Sequence, residues 1–159
     1  MRIETIQREV FTFAELSEKA KDAAKWHLND EHFWGADSIA SLEAFAAHFG
    51  VKVKNYNYGP WASADIETDA ENANFRGVKL KDARALPEYP TGYCLDYSLR
   101  EVFIREFERK GDALAAFVEA MEEGIREARA DWEGQFDDEY MADHCDANGY
   151  EFTSEGVLV

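Results

Sequence analysis

Long apolar runs are missing from this chain: nothing in it approaches the ~18 uninterrupted apolar residues of a membrane-spanning helix, which excludes a transmembrane helix. The opening stretch, MRIETIQREVFTF, lacks the apolar core and small-residue cleavage site of a signal peptide, so a cytoplasmic location is expected. Cysteine is scarce. Cys94 and Cys145 are the only two, too few for a disulfide framework, and a cytosolic chain would keep them reduced. Positive charge is also in short supply, with 17 Lys and Arg against 33 Asp and Glu and a formal charge of −16. Such a balance repels nucleic acid and anionic membrane surfaces, which bind through clustered Lys and Arg. It favours a basic protein partner instead. The motifs GxSxG, GxGxxG, the P-loop, CxxC and HExxH are all absent, so no cofactor or acyl-transfer chemistry has a signature behind it.

What is present points to one folded domain over 1–159. Hydrophobic residues make up 46% of the 159 and aromatics 14%, more than a disordered acidic chain carries. The acid is uneven: residues 1–110 hold 19 acids and 15 bases, whereas 111–159 hold 14 acids and only Arg126 and Arg129. The domain therefore reads as a mixed α/β part followed by a strongly acidic helical part with a closing hairpin.

Alternation over 3–12 predicts a first strand. Thr12 with Glu15 has capping-box spacing, and Ser17 can start a helix over 18–29. A second helix is expected over 37–49, with Ile39, Leu42, Phe45, Ala46 and Phe49 as its apolar stripe and Gly50 as its stop. The runs 51–58 and 61–68 read as a hairpin turning at Gly59-Pro60, with Val51, Val53 and Tyr56 or Tyr58 inward. Residues 74–80 read as a third strand and 82–92 as a loop. Helices follow to Lys110-Gly111 and over 112–134, the latter with a seam of Leu114, Val118, Met121, Ile125, Ala128 and Trp132. Asp137 or Asp138 starts a last helix to about 147, and YEFTSEGVLV closes the chain as a hairpin. The expected class is α+β, a small antiparallel sheet of about three to five strands packed with about four helices.

Glu119, Glu123, Glu127 and Asp131 recur every fourth residue, which on a helix gives one carboxylate every ~6 Å. Neighbouring phosphates on one DNA strand are separated by roughly 6–7 Å. Opposite the apolar seam, this ridge is expected to face solvent, with Glu122, Glu133, Asp137, Asp138, Glu139 and Asp143 thickening the field around it. Like charges four apart cost a helix a few tenths of a kcal/mol per pair, a penalty that a plain solubility face has no need to accept. Metal and catalytic readings are weaker. His27 and His32 are five apart, His144-Cys145-Asp146 diverge around a helix, and Cys94 reads as a small core residue. The aromatics Trp26, Phe33, Trp34, Tyr56, Tyr58 and Trp61 read mostly as core, with Trp61 or Tyr58, if exposed, as an anchor for a partner.

Three blocks, FTFAELSEKAKDAAKWH, YPTGYCLDYSLREVF and ANGYEFTSEGVLV, together 45 residues, resemble small phage and prophage proteins loosely labelled "antitoxin of toxin–antitoxin stability system". The resemblance implies a bacterial or phage cytoplasmic context and supplies no functional residues. By analogy with small acidic phage proteins that imitate DNA, the expected function is non-enzymatic: inhibition of a DNA-binding defence complex, CRISPR-Cas or restriction. The acidic surface would occupy that complex's basic nucleic-acid groove. An antitoxin neutralising a basic toxin is the alternative, and a metal-assisted hydrolase a third. Reversing Glu119, Glu123, Glu127 and Asp131 to Lys is expected to abolish inhibition and leave the fold intact.

Overall fold

A computed structural model describes residues 8–31, 35–57 and 64–159. They form two compact units, one from 8–31 with 133–159 and the other from 35–57 with 64–132. The elements in chain order are α1 (Glu18–Glu31), α2 (Ala36–His48), β1 (Val53–Asn57), β2 (Asp65–Thr68), α3 (Leu80–Arg84), α4 (Cys94–Lys110), α5 (Ala113–Gly134) and α6 (Asp138–Asn148). Short 3-10 turns lie at Phe13–Glu15 and Ala70–Asn72. Among the described residues, six helices accompany one two-stranded antiparallel sheet. The α+β class stands, with fewer strands and more helices than the sequence predicts.

In the first unit, Ser17 caps α1 by accepting the Ala20 amide (3.3 Å). Ala20, Ala24 and Leu28, each four apart, are buried along one stripe. Asp137 starts α6 by accepting the Glu139 amide (2.9 Å), and Gly149 ends it in the left-handed conformation (φ +66°). Met141 and Cys145 of α6 join Phe13, Leu16, the α1 stripe and Phe152 in one buried cluster. Phe11 and Phe152 exchange backbone hydrogen bonds (2.9 Å each), and Thr153 donates to the Val157 carbonyl (2.8 Å). The closing hairpin is thus present as a tight turn with isolated bridges.

The second unit gathers α2, α4 and α5 around phenylalanines. Phe45 stacks on Phe117 (5.8 Å) and Phe49 lies 4.8 Å from Phe103. Phe75 stacks on Phe49 at 5.6 Å. That contact explains why 74–80 is a turn leading into α3 and not the expected third strand: Phe75 packs against the helices, and Gly77 turns the chain at φ +90°. α3 also shortens the loop expected over 82–92. β1 and β2 pair with Tyr56 opposite Ile66 and Asn57 opposite Asp65, as the hairpin reading requires. Tyr56 is exposed and not inward, and Val51 is buried.

Several expectations need correction or lie elsewhere. The first strand is only a single bridge at Phe11 among residues 8–12. Residues 3–7, His32, Phe33, Trp34, Tyr58 and Trp61 lie outside the described residues. Trp26 is exposed and not core. Cys94 is exposed as well, and the first turn of α4 buries Leu95 and Asp96 instead.

Gly156 packs the closing turn against α1. A Cβ there would lie 2.0 Å from the Ala20 carbonyl oxygen, at φ +82°. Gly156→Ala therefore combines a backbone clash with left-handed strain, and unfolding by denaturant should show a loss of about 1–3 kcal/mol.

Candidate functional site

The four-residue ridge of α5 lies beside α4: Glu127 and Asp131 are exposed, as expected, and Glu119 and Glu123 are half-buried. Lys110 of α4 donates to Glu119 (2.9 Å) and Arg105 to Glu123 (3.0 Å). Ser98 donates to Glu127 (2.9 Å), and the Tyr93 hydroxyl donates to Asp131. Read in order, 110–119, 105–123, 98–127 and 93–131 run in opposite senses, so α4 and α5 lie antiparallel and the ridge is the seam between them. Burial, and then the Asp131 carboxylate, hold the Tyr93 hydroxyl above its usual pKa, so it remains a protonated donor.

The reason is helical phase. Four residues overshoot one turn by about 40°, so a ridge of four winds roughly 120° around the axis. The buried face of α5 also differs from the expected seam: Met121, Ile125, Ala128 and Trp132 are buried, but Leu114 and Val118 are exposed and Ala116, Phe117, Ala120 and Gly124 take their place. Both effects bring the ridge within reach of α4, with Glu127 and Asp131 still exposed.

The ladder is graded. Its Glu119 and Glu123 rungs are ion pairs, backed by Glu106 of α4, which receives Arg109 (2.5 Å), Arg105 (3.2 Å) and Lys110 (3.4 Å). The Glu127 and Asp131 rungs are hydrogen bonds from hydroxyls. Glu122, off the ridge and exposed, makes no ion pair among the described residues.

The remaining five expected residues, Glu133, Asp137, Asp138, Glu139 and Asp143, belong to the first unit. Asp138 is bound by Lys25 (2.5 Å) and Lys21 (2.9 Å) of α1, which hold its carboxyl below the usual range. Asp137 is exposed and serves as the α6 cap, and Glu133 is exposed. Glu139 and Asp143 are exposed and make no ion pair among the described residues, and the same holds for Asp146.

Asp146 was not expected, yet it completes the pattern. Positions 139, 143 and 146 are spaced i, i+4, i+7 and share one face of α6. Met141 and Cys145 occupy the opposite, buried face. A signal for it does exist in the sequence: residues 133–159 contain eight acids and no Lys or Arg.

No group of three His, Cys, Asp or Glu among the described residues is arranged to hold a metal ion. Burial raises the Cys145 thiol to about 11, which keeps it protonated and inert. No helix of the described residues is long and apolar enough to cross a membrane. The chain matches no family model, no curated protein and no solved structure.

Two outcomes follow from this geometry. Glu119→Lys with Glu123→Lys would set like charges against Lys110 and Arg105, so thermal melting should fall by several degrees, contrary to the intact fold expected from the sequence. Arg109 foremost, with Arg105 and Lys110, holds the Glu106 carboxyl at about 2 against an ordinary 4.5. A depressed carboxyl stabilises the fold above its unfolded value, and that contribution is lost as pH falls from about 4.5 towards 2. Denaturant unfolding across that window should therefore show a steeper loss in the native protein than in Glu106→Gln.

Proposed function

We propose that the protein is a non-enzymatic inhibitor that uses carboxylates to occupy a basic nucleic-acid-binding surface of a phage-defence complex. The observation that carries this reading is the α6 face. Glu139, Asp143 and Asp146 are exposed in a stripe with no cation of the described residues to cancel them, in a segment of 27 residues without a single Lys or Arg. Glu139 and Asp143 stand about 6 Å apart along the helix, comparable to neighbouring phosphates on a DNA strand. The stripe has a cost, because like charges at i, i+4 weaken a helix by about 0.2–0.5 kcal/mol per pair.

This reading moves the phosphate-like surface from the α5 ridge, whose carboxylates are engaged by α4, to α6. The three blocks that resemble small phage proteins support a phage setting, and the −16 charge supports a basic partner. The contact would be steered electrostatically and weakened by salt.

The test is the triple variant Glu139→Gln, Asp143→Asn, Asp146→Asn, compared with the native protein in capture from phage-infected bacterial lysate. Native protein should retain a basic nucleic-acid-binding complex at low salt and lose it at high salt or to competing duplex DNA. The variant should lose that complex while melting at the same temperature or slightly higher. A partner indifferent to both salt and DNA would overturn the mimicry.

A further inference from the structure

A groove of about 360 Å³ opens in the second unit between the end of α2, the turn after Phe75, and α3. That volume lies within the range of small-ligand sites. Phe49, Val78, Ala83 and Leu86 give it apolar walls, and His48, Arg76 and Asp82 are its polar ones. Ala83 and Leu86 are buried, whereas His48, Arg76 and Asp82 are exposed, so a solute can reach the polar side. The backbone is open there too: a Cβ on Gly77, which also lines the groove, would meet nothing within 4 Å.

The charge here departs from that of the chain as a whole. Residues 76–81, RGVKLK, hold three cations and no acid in a protein of net charge −16. Several cations of the same unit are spent on carboxylates: Lys54 on Glu71 (3.3 Å), Arg105 on Glu123 (3.0 Å) and Lys110 on Glu119 (2.9 Å). Arg76, Lys79 and Lys81 are exposed, and their side chains make no hydrogen bond or ion pair with any described residue. The Arg76 backbone amide donates to Asn74 Oδ1 (3.0 Å), which leaves the guanidinium unspent. The one acid on the groove wall, Asp82, accepts the Lys79 amide (3.3 Å).

We propose that this groove binds a small monocarboxylic acid with an aromatic or branched apolar body, its carboxylate held by the Arg76 guanidinium. The planar fork of arginine matches a carboxylate with two parallel hydrogen bonds. His48, whose ring lies edge-on to Phe49 (5.8 Å), supplies a further N–H on the same wall. Phe49, Val78, Ala83 and Leu86 offer the apolar body a surface away from water. Asp82 sets the charge of the ligand, because a second negative group in the groove would stand against its carboxylate. The site lies within the second unit and does not depend on the α6 stripe.

Gly77 and Val78 line the groove, so their amide NMR cross-peaks report its occupation. The ¹⁵N-labelled full chain is titrated with 3-phenylpropionate, using its neutral amide, acetate and inorganic phosphate at equal ionic strength as controls. The acid should move both peaks saturably and the controls should not. Arg76→Gln should weaken binding about tenfold or more at an unchanged melting temperature. Asp82→Asn, which removes the opposing charge, should tighten it severalfold. Absence of a saturable shift, equal shifts from any control, or unchanged binding in Arg76→Gln would each overturn the site. Tighter binding of the tripeptide Ala-Ala-Phe than of 3-phenylpropionate would overturn the small acid in favour of a peptide carboxyl terminus. Failure on any of these counts leaves the α6 reading untouched, because that reading is tested by separate substitutions.

Discussion

Gly124 has no side chain, and the core of the 35–132 unit depends on that absence. A Cβ at this position would lie 2.5 Å from Leu99 Cδ2 of α4 and 3.0 Å from Leu42 Cδ2 of α2, closer than carbon atoms approach in a packed core. The glycine lets α5 settle against both helices with Phe117 stacked on Phe45. Once that approach is made, the rotation of α5 about its axis is set, and so is the side of it that meets α4. The carboxylate ladder is a consequence of this packing.

Carboxylates of one chemical type therefore meet two fates. On α5 they face a helix that supplies Lys110, Arg105, Ser98 and Tyr93 at matching heights, and their charge serves the pairing of two elements. On α6, among the described residues, only Asp138 finds cations, from Lys21 and Lys25 of α1. Glu139, Asp143 and Asp146 are turned the other way, with Met141 and Cys145 holding the opposite face in the core. Among the described residues this like-charged stripe makes no ion pair, and it weakens its own helix.

Asp96 shows the same distinction inside the protein. One of its oxygens organises the start of α4 by collecting donors from Thr91 and Gly92, and Thr91 is in turn bonded to Ser41 of α2 (3.0 Å). This ties the loop to two helices. The other oxygen takes no part in that network, so the side chain has a structural half and an unsatisfied half within a single carboxylate.

Helix existence and most helix ends were readable from the chain alone, because they rest on local chemistry: Ser17 and Asp137 as caps, Gly111 and Gly149 as left-handed stops, and apolar spacing along α1, α2 and α4. The antiparallel pairing of β1 with β2 was readable for the same reason. Residues 74–80 were misread because the alternation that marks a strand says nothing about Phe75 being drawn into a helical core. The charge imbalance of the last third was plain in the sequence, but which carboxylates remain unspent was not. Periodicity places a side chain on a helix face to within a few tens of degrees, whereas its pairing depends on which neighbouring helix that face meets. The sequence by itself determined the elements and their charges. Only the tertiary structure, through the close approach at Gly124 and the burial of Met141 and Cys145, decided that the α5 ridge runs beside α4, which engages its carboxylates, and that the α6 stripe faces away from the core.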